Sequence, residues 1–381
     1  MRITMVSDSY YPYVSGVTRA VATMKDTLTR MGHNVTVFCP SYPGTPPEEG
    51  VVRFPSFRAP TNKTYYVAVP MYFRIRNEIS RANPDVIHIH SPFNLCAAAL
   101  RAARRMGIPV VMTYHTMYNM YSHYVPVVGP KMSTLVERTA LRVARSADAV
   151  ITPSATIARY LHGKDPAVNP LPIPNGIPVA EFQTGDPGFL HETYGIPKGQ
   201  VVLTSGRLGL EKNLSVLLKA FAEIAKKTEA NLVLVGDGPL RETLKEEARS
   251  LGVADRAFFI GTVLPDKMPS VYAGADLFLF TSLTDTQGLV LVEAKAAGLP
   301  AVAVGALGVN DMVEDGVDGY LCKNDPGELA EKASSLLRDE KRLEEMSQNA
   351  KRNAQAFSRE ACAERLLRCY ESVIRKGSAA S

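Results

Sequence analysis

The sequence predicts an α/β protein of two Rossmann-like domains, each a doubly wound parallel sheet, facing each other across a cleft. Three observations carry this: the length, an alternation of apolar strand runs with amphipathic stretches, and a proline-rich break after which the alternation restarts. At 381 residues the chain exceeds one ordinary domain and suits two of similar size. Apolar residues make up 46% and charged residues 21%, the balance of a chain with real cores.

The elements follow in order. Residues 2–8 (RITMVSD) read as a strand, residues 9–16 as a loop, and the next stretch to about Met31 as a helix that Gly32 stops. Strands are expected at 35–38, 86–89, 110–113 and 149–152, the last three each following a helical stretch. Residues 169–178 (NPLPIPNGIP) hold four prolines and a glycine, which precludes a helix and marks the interdomain connection. The pattern restarts with a strand at 201–205, Gly206 and a helix near 214–226. Further strands are expected at 231–235, 257–260, 276–280 and 300–304. The segment 357–374 has helical periodicity and is expected to cross back and brace the first domain. The expected division is 1–170, 171–356 and a C-terminal helical segment 357–381. Ligands of such folds bind at the carboxyl ends of the strands.

Composition narrows the setting. No stretch approaches the ~20 consecutive apolar residues of a membrane-spanning helix, and the N-terminus reads directly as a strand, so no signal peptide is expected. Five widely spaced cysteines without a CxxC pair fit reduced thiols in a cytosolic protein. Residues 1–175 carry 19 Lys and Arg against 9 Asp and Glu, a net +10, whereas the remainder carries 24 against 29, a net −5. The basic half therefore faces something anionic, lipid headgroups or nucleic acid. No nucleic-acid module is recognisable, and none is expected as a partner.

Chemistry concentrates in two segments. In residues 281–300 (TSLTDTQGLVLVEAKAAGLP) a strand ends in a polar turn and a helix is expected to begin near Gln287–Gly288. The unsatisfied N–H groups and positive dipole end of such a helix suit a diphosphate. Gly288 allows close backbone approach, Glu293 within the helix suits ribose hydroxyls, and Asp285 suits sugar hydroxyls. Residues 206–213 (GRLGLEKN) add Arg207, a planar fork, and Lys212, a mobile point charge, both fitted to phosphate oxygens. Charge-assisted bonds of this kind are worth roughly 1.5–3 kcal/mol each. Two cations and a helix start could neutralise a leaving diphosphate without metal, and the sequence has no Asp-x-Asp pair, so neither a metal nor another cofactor is expected. His88 and His90 (HIH) share a strand face but lack a third ligand at suitable spacing; a structural or cleft-lining role is expected.

Residues 205–213, residues 285–293 and Asn175–Gly176 together resemble glycosyltransferase family 4, retaining enzymes of the GT-B fold, over essentially the whole chain. The family hallmark is two glutamates separated by seven residues; here Glu293 is the second, but Asp285 stands at the first, one methylene shorter. The resemblance implies that Arg207 and Lys212 bind the donor diphosphate and Glu293 the ribose. It assigns the backbone of Thr286, Gln287, Gly288 and Leu289 to the phosphates and sugar, and puts Gly261–Val263 beside the base. Gly16 in PYVSGV corresponds to the glycine that lets the chain approach the donor phosphate, and His115 to the histidine beside the donor sugar. The segment 114–126 (YHTMYNMYSHYVP) and the TQGL at 286–289 look like the bacterial diacylglycerol glucosyltransferases.

The resemblance thus implies a hexose donor, UDP-glucose, a membrane-lipid acceptor and a peripheral position on the inner face of the cell membrane. It also implies retention by same-face substitution, with the leaving phosphate accepting the acceptor proton. His115, Arg207, Lys212 and Asp285 form the catalytic set. Tyr118, Tyr121 and Tyr124 are candidate acceptor contacts, equally readable as core packing, and Arg101–Arg105 with the stripe Arg138, Arg142 and Arg145 are candidate membrane contacts. GDP-mannose-dependent lipid transfer, a soluble acceptor and a non-catalytic nucleotide-sugar-binding protein stand as alternatives.

Overall fold

The computed structural model describes residues 1–60, 64–117 and 130–379. The chain forms two compact units, Met1–Gly176 with Arg359–Ser381, and Ile177–Ser358.

The first unit contains β1 (Arg2–Val6), β2 (Asn34–Pro40), β3 (Val51–Phe54), β4 (Ser56–Arg58), β5 (Tyr66–Ala68), β6 (Val86–Ile89), β7 (Val110–Thr113), β8 (Ala149–Thr152) and β9 (Leu171–Pro172). Seven of them make one parallel sheet in the order β3-β2-β1-β6-β7-β8-β9, while β4 and β5 pair antiparallel as a separate hairpin. The second unit contains β10 (Val201–Ser205), β11 (Asn231–Val235), β12 (Ala257–Gly261), β13 (Leu277–Phe280), β14 (Ala301–Val304) and β15 (Gly319–Cys322). Its sheet runs β12-β11-β10-β13-β14-β15, all parallel. In each sheet the strand order reverses once, beside β1 and beside β10. The central strands VIHI, VVMT, VVLTS, NLVLV, LFLF and AVAV are buried along their whole length, as strands covered on both faces must be.

The division falls later than the proline count places it. β9 lies inside the expected connection yet pairs with β8, and Ile173 N donates to Thr152 O at 2.9 Å, so the first unit extends to Gly176. Ile177 N donates to Phe357 O at 3.0 Å and bridges Ser358, which keeps both residues in the second unit. Prolines at 170, 172 and 174 forbid a helix but leave alternate N–H groups for an edge strand. The last helix, Arg359–Ala379, belongs to the first unit: Leu366, Cys369, Tyr370 and Val373 pack with Ile3, Val21, Leu28 and Val37. Sequence periodicity misses β3, the β4–β5 hairpin and β15, which are three or four residues long and only partly buried.

One buried ion pair fixes an element of the second unit that carries candidate site residues. Lys295, on the helix Leu289–Ala297, lies 2.6 Å from Asp318, with side-chain exposures of 3% and 0%. Lys295 Nζ also donates to Met312 O at 2.7 Å, and Asp318 accepts from Glu314 N at 2.9 Å and Asn353 Nδ2 at 2.8 Å. Every charge is thus met by a partner, the condition under which such a pair is tolerated in a core. Asp318→Ala, which strands the ammonium, is expected to cost about 3–5 kcal/mol of unfolding free energy; a urea midpoint within error of the parent would refute this.

Candidate functional site

In the second unit, β10 and β13 are neighbours in register, Val202 opposite Leu277 and Leu203 opposite Phe278, so the loops that follow them leave the same sheet edge side by side. This is the point where strand order reverses, the usual ligand position of open α/β sheets. The first loop winds one 3₁₀ turn, Leu210–Lys212, and Asn213 then takes a left-handed conformation (φ 55°) before the helix Leu214–Ala225. The second loop leads to the helix Leu289–Ala297. Side chains stitch the two together: Thr281 Oγ1 donates to Lys212 O (2.9 Å), Ser282 Oγ to Glu211 O (3.1 Å), and Asn213 Nδ2 to Thr281 O (3.2 Å).

The two candidate ions bridge the loops directly. Lys212 Nζ lies 2.8 and 3.1 Å from the oxygens of Asp285, with both side chains 19% exposed, and sits 5.6 Å from the centre of the Phe280 ring. Sequence spacing assigns these residues separate tasks; the fold makes them partners. Arg207 is exposed and lines, with Gly206, Lys212 and Thr281, a small depression at the ends of β10 and β13. Close packing shapes that wall. A Cβ at Gly236 would collide with the Gly206 carbonyl, and one at Gly238 with the Leu208 backbone.

The helix after β13 starts at Leu289, not at Gln287–Gly288. Gly288 is its N-cap in the left-handed region (φ 75°), a conformation that side chains resist, so this glycine turns the chain as well as baring the backbone. The turn before it is clamped from behind: Gly308 N donates to Asp285 O at 3.1 Å, and Gly308 lies so close to the Thr286 carbonyl that no side chain fits. Gln287 is buried and Thr286 half-buried.

Glu293 is 1% exposed. Its Oε2 accepts from the Tyr272 hydroxyl at 2.8 Å, and Ser205 Oγ lies 2.8 Å from that same hydroxyl. The phenol proton points to the carboxylate, so Ser205 donates to Tyr272. Nothing in the sequence marks Tyr272: a tyrosine in MPSVYA carries nothing to separate it from a core residue. Gly261, at the end of β12, has φ 78° and accepts from Gly236 N at 2.7 Å, and Val263 packs half-buried on the core.

In the first unit, the helix Gly16–Arg30 begins at Gly16, with Ser15 Oγ capping Thr18 N at 3.1 Å. Gly16 is exposed and a Cβ there would meet nothing within 4 Å, so packing does not require this glycine. Asp8, after β1, accepts from Ser91 Oγ and from Leu95 N (2.9 Å) at the start of the helix Asn94–Arg105, and burial lifts its carboxyl to about 6. His88, His90 and His115 form a buried ladder with Thr113. His88 Nε2 lies 2.7 Å from Thr113 Oγ1 and its Nδ1 2.7 Å from the Tyr370 hydroxyl, while His90 Nδ1 lies 3.0 Å from His115 Nε2. β6 and β7 run in register with His88 opposite Val111, so each histidine meets the residue 25 further along on the same face. Burial lowers His88 to about 3 and His115 to about 4, and His90 well below its usual value.

Among the described residues, no group of three or more His, Cys, Asp or Glu could hold a metal ion. Tyr118, Tyr121 and Tyr124 lie outside the described residues. Tyr114, from the same run, is wholly buried. Arg101, Arg104, Arg105, Arg138, Arg142 and Arg145 are all exposed, and Arg145 also pairs with Asp165.

Two doubly wound parallel sheets of this order in one chain, with paired loops at the strand-order reversal of the second, are the GT-B architecture. The glycosyl transferases group 1 model matches residues 189–353 and the glycosyltransferase family 4 model residues 14–181; the chain belongs to this family of glycosyltransferase enzymes. Similar proteins include the alpha-monoglucosyldiacylglycerol synthase of Streptococcus pneumoniae, 32% identical over 84% of this chain and 75% of that protein. A GDP-mannose-dependent alpha-mannosyltransferase of Corynebacterium glutamicum is 28% identical over 98% of this chain and 89% of that one. The crystal structure of Anabaena Alr3699/HepE in complex with UDP superposes with a TM-score of 0.79 at 22% identity, covering 98% of this chain and 100% of that chain.

The buried titrating groups of the first unit set its pH response. The native histidines stay neutral where the unfolded chain protonates near 6.5, so their contribution is complete above that pH and is lost as pH falls towards 4. Asp8 has the opposite sign: its folded carboxyl takes a proton at about 6 and the unfolded one only near 3.8, so its contribution is present at low pH and lost as pH rises through 6. Three protons against one leave a net uptake of about two on unfolding near pH 5, or about 2–3 kcal/mol lost per pH unit. In urea titrations, replacing Asp8 by Asn is expected to become relatively less costly between pH 5 and 7.5; a constant difference would sink the assignment.

Proposed function

We propose that the enzyme transfers a hexose, glucose from UDP-glucose, with retention of configuration onto a membrane lipid such as diacylglycerol. The observation that carries the donor half is the pairing of the β10 and β13 loops at the point where strand order reverses. There Arg207 and Lys212 line one pocket with the end of β13, and the neighbouring loop leads on to the start of the helix Leu289–Ala297. A diphosphate at this place competes with Asp285 for Lys212, and the displaced carboxylate is then available to sugar hydroxyls. Tyr272 holds one oxygen of Glu293 and so fixes the carboxylate that we assign to the ribose. Similarity to an alpha-monoglucosyldiacylglycerol synthase, a GDP-mannose-dependent alpha-mannosyltransferase and a protein crystallised with UDP supports a UDP or GDP sugar and a lipid acceptor.

The chemistry follows from charge. As the glycosidic bond breaks, negative charge builds on the leaving diphosphate, and cations already in place stabilise it without reorganisation. Two cations and the helix dipole meet that need without a metal, and the leaving phosphate oxygen takes the acceptor proton on the face it vacates. Arg207→Ala and Lys212→Ala are each expected to lower kcat about 100-fold or more while leaving the fold intact by circular dichroism. Release of UDP from UDP-glucose with diacylglycerol should exceed release of GDP from GDP-mannose with phosphatidylinositol; the reverse ranking selects mannosyl transfer. Silence with every donor favours a nucleotide-sugar-binding protein.

The lipid half rests on the first unit's surface. This unit holds 24 Lys and Arg against 12 Asp and Glu, the second 19 against 26. Among the described residues, no helix is long and apolar enough to cross a membrane. Instead, exposed apolar side chains gather where the β4–β5 hairpin meets the helix Tyr72–Ala82: Phe57, Val69, Met71 and Phe73, the last 76% exposed. Arg58, Arg76, Arg104 and Arg105 are exposed in the same unit, and Arg105 packs on Tyr72. Apolar anchors with basic neighbours are the chemistry of a protein seated on anionic lipid, at about 1 kcal/mol per base near the surface, and the peripheral position is the inner face of the cell membrane. Binding to vesicles containing phosphatidylglycerol is expected to fall at high salt and to weaken at least tenfold in a Met71→Ser, Phe73→Ser variant; salt-independent or unaltered binding would favour a soluble acceptor.

A further inference from the structure

The buried histidine ladder of the first unit carries more than packing. His90 is 1% exposed; its Nδ1 faces His115 Nε2 at 3.0 Å, and its Nε2 is a buried nitrogen with no hydrogen-bond partner. A neutral imidazole has one ring proton, on one nitrogen or the other. With the proton on Nε2, a buried N–H would lack an acceptor, the rarest kind of unmet polar group. On Nδ1 the proton is used, and what remains unmet is a lone pair. Burial keeps both rings neutral, His115 at about 4 and His90 well below its usual value.

We infer that His90 is a positioning residue that sets the tautomer of His115: its Nδ1–H donates to His115 Nε2, which leaves His115 protonated on Nδ1 and presenting a hydrogen-bond donor instead of a base. The ring order supports the constraint. His90 lies between its neighbours, tilted against the His88 ring at 4.0 Å and stacked on the His115 ring at 5.3 Å, and His88 is tied at both nitrogens by Tyr370 and Thr113, so His90 has little room to turn over. Nδ1 of His115 then carries the proton, so it donates to whatever oxygen or nitrogen it meets and cannot abstract a proton. This consequence for turnover rests on the reading that His115 touches the donor.

The test is spectroscopic first. In the full chain labelled with 15N-histidine, the two-bond 1H–15N spectrum at pH 7.5, with His115 identified by loss of its signals in His115→Gln, is expected to show Nδ1 protonated and Nε2 bare. A protonated Nε2 on His115 overturns the inference whatever the activity. In His90→Asn, whose amide nitrogen stands near the position of Nδ1, the His115 pattern is expected to persist; in His90→Phe it is expected to shift toward a mixture. An unchanged pattern in His90→Phe also overturns it, and should that variant not fold, the parent spectrum decides. With UDP-glucose, His90→Phe is expected to lower kcat/KM roughly 10- to 100-fold, the worth of one hydrogen bond to a charged or developing-charge group, with recovery in His90→Asn. If the tautomer is as stated but His115→Gln turns over normally, the donor-contact reading of His115 fails and the tautomer assignment stands.

Discussion

Everything chemical in the second unit depends on one constraint: parallel strands must all end on the same sheet edge, and where strand order reverses, two of those ends lie side by side with no crossover helix between them. β10 and β13 are that pair. Their loops are 70 residues apart in sequence yet share hydrogen bonds through Thr281, Ser282 and Asn213, and an ion pair through Lys212 and Asp285. The first loop's Lys212 finds its counter-ion in the second loop, and the turn before Gly288 takes its backing from Gly308. The glycines at 236, 238 and 308 let backbone press on backbone from behind.

The first unit obeys the same rule with different contents. At its own reversal, between β1 and β6, Asp8 joins Ser91 and the helix start at Leu95, and burial makes it a weak acid. One strand over, β6 and β7 align three histidines, and the C-terminal helix closes the ladder with Tyr370. The two units thus solve the problem of buried polar groups differently. The second spends charge on charge, with Lys295 on Asp318 in the core and Lys212 on Asp285 at the loops. The first keeps its three buried histidines neutral, and neutrality gives their donors and acceptors a fixed sense.

Much of this was legible in the sequence. Five strands, 86–89, 110–113, 149–152, 201–205 and 231–235, coincide with the observed ones because continuous apolar runs admit few alternatives between their helices. The chemistry of residues 206–213 and 285–293 was legible because a glycine, a cation or an acid at a strand end has few other uses. Hidden were the residues whose meaning is a contact. Tyr272 reads as core until Glu293 is found against it, and His90 as a structural or cleft-lining residue until its ring meets His115.

The sequence by itself determined the α/β class, the two-unit plan and the family, since periodicity and loop chemistry are local properties of the chain. Tertiary structure alone decided that β9 extends the first sheet, that the last helix belongs to the first unit, and that Lys212 faces Asp285. It also decided which nitrogen of His90 has a partner. These are relations between segments distant along the chain, fixed by strand order and burial, and no local pattern encodes them.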